Sequence, residues 1–204
     1  LAASELEASV EDLEYHQGDF QVKGTRVGIG IFDLCSRQSG NSISVKRKKE
    51  LTGRSWPNGC HVAEVEIDAE TGEVRLDRYV SVDDVGNTVN PMIVHGQVQG
   101  GIASGLGQAV LERTEYDASG QLLSGSYMDY ALPRADDMPS LSGSLFEKAP
   151  CLTNPLGAKG TGEIGAVAGP PAIVHAVIDA LAEKGITQVD MPLQPQKIWE
   201  CLNR

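Results

Sequence analysis

The chain has 204 residues, of which 41% are hydrophobic, 22% charged and only 5% aromatic. That is ordinary globular composition, which excludes wholesale disorder and provides enough length for about one domain with its own core. A net charge of -11 and a pI near 4.8 make a nucleic-acid backbone or an anionic membrane surface an unfavourable partner.

The N-terminal run LAASELEASVEDLEY has no basic n-region and no apolar h-region, so no signal peptide is predicted. Leu1, Ala2, Leu6 and Ala8 among acids read as the end of a helix, and the first residue is not Met. The expectation is therefore a piece of a longer chain. No run of about 18 uninterrupted apolar residues signals a membrane span. Phe20 to Val22 follows the turn residues Gly18 and Asp19 and reads as a short strand. Ile31 to Arg37 reads as one or two helical turns. Residues 38–58 are polar, carry the basic run Lys46, Arg47, Lys48, Lys49, and read as a mobile loop.

From Gly59 to Gly86 the pattern is a β-hairpin. His61, Ala63, Val65 and Ile67 alternate with Val62, Glu64 and Glu66, and Glu70-Thr71-Gly72 supplies the turn. His61 falls on the apolar face and reads as a hydrogen-bonded core histidine. Asn90 is a helix N-cap and Pro91 a first helical residue, with the helix running to about Glu112. That helix holds Gly96, Gly100, Gly101, Gly105 and Gly107, each costing ~1 kcal/mol against alanine. Gly96, Gly100, Ser104 and Gly107 share one face, which is predicted to take a close backbone or a flat ligand. A second hairpin turning at Ser119-Gly120, a strand near Ser144–Lys148, and a helix with Pro171 in its first position follow. Gly185 closes that helix, and a short one begins at about Pro195. The fold class is α+β: mixed sheet hairpins with packed helices.

The four cysteines, Cys35, Cys60, Cys151 and Cys201, form no CxxC spacing, and no side chain is assigned as a metal ligand. Scattered cysteines in an acidic chain fit a cytoplasmic location. The strongest local anomaly is the loop Gly157 to Gly165, GAKGTGEIG, which sets glycines around one carboxylate, Glu163, just before a helix. Such a loop aims backbone N–H groups at a ligand, and the helix start favours an anionic one. The spacing is neither a Walker loop nor a dinucleotide fingerprint. A glutamate buried there beside a cofactor would be a general base, because desolvation raises its pKa.

Four segments together resemble the C-terminal part of the large subunit of the molybdenum hydroxylases, the family of xanthine dehydrogenase, aldehyde oxidase and carbon monoxide dehydrogenase. They are PNGCHVAEVEIDAETGEVR, SVDDVGNTVNPMIVHGQVQGGIASGLGQAVLE, GSYMDYALPRADDMP and NPLGAKGTGEIGAVAGPPAIVHAVIDAL. The resemblance implies that residues 1–204 are a C-terminal fragment of a molybdopterin-binding region. It implies a molybdenum-pterin cofactor, in the cytosine dinucleotide form, and oxidation of an aldehyde, N-heterocycle or carbon monoxide with water as oxygen source. Glu163 would be the base acting on the oxygen nucleophile. Lys159, Gly160, Thr161 and Gly162 would contact the cofactor, and Gln99, Gly100 and Gly101 would line its tail. Iron–sulfur clusters and FAD would sit on partner chains or domains of an oligomer, and the fragment alone would be inactive. The rival expectation is a non-catalytic interaction or assembly domain of the same fold.

Overall fold

A computed structural model describes residues 1–51 and 53–203; Thr52, within the expected 38–58 loop, and Arg204 lie outside the described residues. The chain divides into two compact units, Leu1–Glu50 and Leu51–Arg204.

In the first unit, α1 (Ala2–Glu5) precedes three antiparallel strands, β1 (Leu13–His16), β2 (Asp19–Val22) and β3 (Gly28–Gly30), and then α2 (Ile31–Ser36). Ala2, Ile29 and Leu34 are its buried centre, with Leu6, Leu13, Phe20 and Ile43 packed round them. The strand and helical turns expected at 20–22 and 31–37 are present. Residues 42–51 carry no helix or strand, and the basic run Lys46 to Lys49 is exposed there.

The second unit is built on a sheet in the order β4 (Asn58–Ile67), β5 (Val74–Asp84), β6 (Leu141–Leu145). β4 and β5 form the expected hairpin, and β6 runs parallel to β5. Along β4, residues 61, 63, 65 and 67 are half-buried and 62, 64 and 66 exposed, the period-two pattern of a strand with one covered face. At the hairpin turn, Asp68 Oδ1 accepts from the N–H of Glu70 at 2.7 Å, and Gly72 takes φ +77°. These donors hold the Asp68 carboxyl below its ordinary pKa.

The covered face carries α3 (Pro91–Leu106), α4 (Ile164–Leu181) and α5 (Pro195–Leu202). Asn90 caps α3, accepting from the N–H of Ile93 at 3.2 Å. A π-helical turn, Gly107–Leu111, extends α3 to the expected end. α3 and α4 pack on each other, and α4 also lies on β4. Tyr79, Ile102, Ile173, Val177, Leu181, Leu193 and Ile198 are essentially inaccessible and form the centre of the core. With its closing turn, α4 is long and apolar enough to cross a membrane by length and composition, with a mean hydropathy of 1.6. Its stripe of Ile173, Val177 and Leu181 is spent on the core.

Three expectations are corrected. The helix expected to begin at Pro171 begins at Ile164, with Pro170 and Pro171 inside it. Packing against α3 outweighs the two missing N–H groups: Pro170 lies against Gly105. The hairpin expected around Ser119-Gly120 is an Asx-type turn on Asp117 with a single isolated bridge, Tyr116–Leu122. The last strand lies at Leu141–Leu145 rather than 144–148.

The glycine face of α3 is also displaced. A Cβ on Gly96 or Gly100 would meet nothing within 4 Å. Gly101 and Gly105 make the close approach instead, to Gly165 and Gly169–Pro170 of α4. The i, i+4 register is right, but the contacting row lies one residue further on than Gly96–Gly100.

Candidate functional site

Glu163 is the N-cap residue of α4, and its carbonyl accepts the N–H of Val167 at 2.9 Å. Its carboxylate position follows from where α4 begins, and that start is clamped. A Cβ on Gly165 would lie 2.6 Å from the Ile102 nitrogen and 2.8 Å from the Gly101 carbonyl carbon. Only glycine at both positions lets the two helix backbones touch. Glu163 itself is exposed, so the burial expected of a general base is not supplied by this chain's residues.

The loop leading to Glu163 is latched to the end of β5. Lys159 N–H donates to the Val85 carbonyl at 2.7 Å, and its ammonium donates to Asp84 Oδ2 at 2.6 Å. Asp84 Oδ1 accepts the Gly86 N–H at 2.9 Å. Burial pushes the Asp84 carboxyl up, but the Lys159 ammonium and the Gly86 N–H more than offset this and leave it below its ordinary value. The Gly157 carbonyl accepts from the N–H groups of Asn87 and Cys151, and the Asn87 amide donates to the Leu156 carbonyl. Gly86 lies so close to the Gly157 carbonyl that no Cβ fits between them. Asn154 closes the loop on itself, its amide donating to the Ala158 carbonyl at 2.8 Å.

Beyond this latch the backbone is free. Among the described residues, no N–H of Gly160, Thr161, Gly162 or Glu163 has a protein acceptor. The Thr161 hydroxyl is buried without a hydrogen-bond partner, and a buried polar atom left so costs about 1–3 kcal/mol. A Cβ on Gly160 would meet nothing. These residues line a recess of about 570 Å³, whose other walls are Trp56 to Gly59, His61, Ile164, Val167 and Ala168. Unpaired N–H donors, an orphaned hydroxyl and a carboxylate on an apolar recess fit an anionic or polar cofactor laid on the loop.

His61 forms part of that recess wall while both its ring nitrogens are engaged inside the sheet. Nδ1 lies 2.9 Å from the Tyr79 hydroxyl and Nε2 2.9 Å from Asp83 Oδ1. The His61 and Asp83 side chains are 2% and 1% exposed. Burial and the Asp83 carboxylate push the Tyr79 hydroxyl pKa upward. This is the core histidine expected from the alternation, with its two partners now identified.

The residues singled out from the sequence therefore separate. Gly160, Thr161, Gly162 and Glu163 come together on the recess. Lys159 sits at the head of the same loop, but its ammonium is committed to Asp84. Gln99 and Gly100 are exposed on α3, whereas Gly101 lies beneath Gly165 and supports the loop from behind. Sequence reasoning missed Asp84, Asn87 and Trp56. No spacing rule pairs Lys159 with an acid 75 residues away. The one signal was an acid pair, Asp83-Asp84, at the end of a strand.

A family model described as a molybdopterin cofactor-binding domain matches residues 1–139. The chain is 33% identical, over 98% of its length, to the 6-hydroxypseudooxynicotine dehydrogenase complex subunit gamma of Paenarthrobacter nicotinovorans. It is 32% identical, over 99%, to the carbon monoxide dehydrogenase large chain of Hydrogenophaga pseudoflava. It covers 26% of each of these relatives. Among solved structures, quinoline 2-oxidoreductase from Pseudomonas putida 86 superposes with a TM-score of 0.86 at 33% identity, over all of this chain and 27% of that one. A Cu,Mo-CO dehydrogenase superposes at 0.87 with 30% identity, over 98% of this chain and 26% of that one. The α+β fold with two sheets is the fold of the matching part of that dehydrogenase chain. A donor-lined recess on a glycine-rich loop and a family match over most of the chain lead to one conclusion: the chain belongs to the molybdopterin cofactor-binding domain family.

Proposed function

We propose that this chain is the C-terminal part of the large subunit of a molybdenum-dependent hydroxylase or dehydrogenase, with Glu163 as its proton acceptor. The observation that carries the reading is the free edge of Gly160–Glu163: unpaired N–H groups, the orphaned Thr161 hydroxyl and a carboxylate on one recess. A molybdenum-pterin group bound there supplies two-electron redox chemistry and activates water as the oxygen source. This chain's residues do the rest. The loop N–H groups and Thr161 hold the cofactor. Glu163 receives a proton as the substrate is oxidised. The apolar recess walls, Trp56, Pro57, Ile164 and Val167, keep one side of the carboxylate away from bulk water.

The relatives set the range of substrates: their names speak of carbon monoxide, nicotine derivatives and hypoxanthine, and a solved neighbour's of aldehyde. The substrate here belongs to that group: an aldehyde, an N-heterocycle or carbon monoxide. The cofactor is the cytosine dinucleotide form, and iron–sulfur and FAD chains or domains carry electrons away. Partner chains are in keeping with relatives named as the gamma or large subunit of a complex. Four free cysteines suit a cytoplasmic location.

The test is metal content. The full-length product is purified with its partners, and Mo and Fe per chain are measured by mass spectrometry. Stoichiometric Mo with Fe supports the reading. A folded, complete complex without either leaves a non-catalytic assembly domain, with Glu163 an ordinary surface carboxylate.

A further inference from the structure

We propose that Lys159 and Asp84 are a positioning pair: they fix the entry of the Gly160–Glu163 loop, so Lys159 serves the reaction through the backbone and does not touch the cofactor. The inference rests on the reading of Glu163 as proton acceptor. Its basis is geometric. Lys159 is tied at both ends to one three-residue segment. Its N–H bonds the Val85 carbonyl at 2.7 Å and its ammonium bonds Asp84 at 2.6 Å, with both side chains close to nine-tenths buried. Asp84 is fixed in turn by the Gly86 N–H at 2.9 Å. Hence the ammonium is not available to a bound group without breaking a pair whose two charged groups are both largely buried.

Glu163 is thus held between two anchors six residues apart. Behind it, Gly165 is clamped on Gly101 and Ile102. Ahead of it, Lys159 is clamped on Asp84 and Val85. Between them, the N–H groups of Gly160 to Glu163 make no hydrogen bond within the described residues, and Gly160 has open space around it. A span with so few contacts of its own takes its shape from its ends. Releasing the Lys159 end leaves the Gly101–Gly165 anchor and the hydrophobic core in place, so the folded protein, less stable by the pair's contribution, holds the carboxylate out of alignment.

The experiment uses the full-length enzyme with its partners, comparing Lys159→Met, Lys159→Arg and Asp84→Asn, with Glu163→Gln in parallel. Lys159→Met is expected to keep normal Mo content and KM. It should slow substrate reduction of the Mo centre about tenfold to a hundredfold, the scale of a small misplacement of a reacting group. Asp84→Asn should do the same, and Lys159→Arg should restore most of the rate, because it restores the charge pair. Independently of turnover, amide hydrogen exchange over residues 157–165 should accelerate in Lys159→Met and Asp84→Asn but not in Lys159→Arg. Wild-type reduction rates and unchanged exchange in Lys159→Met would overturn the positioning pair. So would loss of Mo in proportion to rate, which would make Lys159 a cofactor-binding residue. A slow Glu163→Gln beside a normal Lys159→Met rejects the pair alone, whereas a normal Glu163→Gln rejects the reading of the site itself.

Discussion

Gly101 of α3 and Gly165 of α4 touch backbone to backbone, directly behind the carboxylate-bearing start of α4. A side chain on Gly101 would lie 2.8 Å from the Ala166 nitrogen, and one on Gly165 would lie 2.6 Å from the Ile102 nitrogen. This contact accounts for Gly101, as the Gly169–Pro170 contact accounts for Gly105, and it fixes where the Glu163-bearing start of α4 lies.

Alanine at the two kinds of glycine on α3 and α4 should therefore act in opposite directions. Gly165→Ala forces the helices apart and should destabilise by about 1–3 kcal/mol, despite better helix propensity. Gly96→Ala enters open space on an exposed helix position and should stabilise by about 0.5–1 kcal/mol. Thermal unfolding midpoints of the purified full-length variants check both signs.

The Tyr79–His61–Asp83 chain links β4 to β5, with the His61 and Asp83 side chains almost inaccessible. Asp83→Ala strips His61 Nε2 of its partner and should cost about 1.5–3 kcal/mol, the scale of a hydrogen bond to a carboxylate. Tyr79→Phe removes one neutral hydrogen bond of 2.9 Å and should cost only about 1–2 kcal/mol. Denaturant unfolding ranks the two, and equal losses would show that the carboxylate has no special weight.

The Asp84–Lys159 pair predicts an acid limb in stability. The Asp84 pKa is depressed in the fold from an ordinary 3.8. Its contribution is present above that unfolded value and is lost as pH falls through the lower folded value. Asp84→Asn should weaken the protein at neutral pH and flatten its pH dependence as pH falls below the ordinary 3.8. The comparison is unfolding free energy against pH for the two proteins.

The hairpin tip is docked on α5. Gly72 has φ +77°, and a Cβ there would overlap the Pro195 carbonyl and sit 2.7 Å from the Trp199 nitrogen. Gly72→Ala should cost at least the 1–2 kcal/mol of a left-handed residue. Faster amide exchange around Pro195–Leu202 would confirm that the cost includes undocking of α5.

Local chemistry was legible in the sequence, and long-range pairing was not. The β4–β5 hairpin follows from the alternation over residues 61–67 and the Glu70–Gly72 turn, and the start of α3 from Asn90 and Pro91. The start of α4 was misplaced because Pro170 and Pro171 look like a helix start when read locally. Contact with Gly105 keeps them inside the helix. Gly160 to Glu163 came together because they are contiguous. The resemblance places Lys159 with the cofactor-contacting loop, but its bond to Asp84 is not legible in the sequence, because Asp84 is remote and becomes a neighbour only when β5 meets the loop. The close-packed row of α3 was displaced by one position, since glycine spacing defines a period but not which row the neighbouring helix takes.

The most direct test of the account is the reduction of the Mo centre by substrate in the intact enzyme carrying Glu163→Gln. With Glu163 as proton acceptor, the variant keeps normal Mo content and a normal cofactor spectrum while reduction slows by at least about 10²-fold, the low end of general-base catalysis. Near-native reduction at full Mo loading would contradict that role and leave Glu163 with no part in the proton transfer.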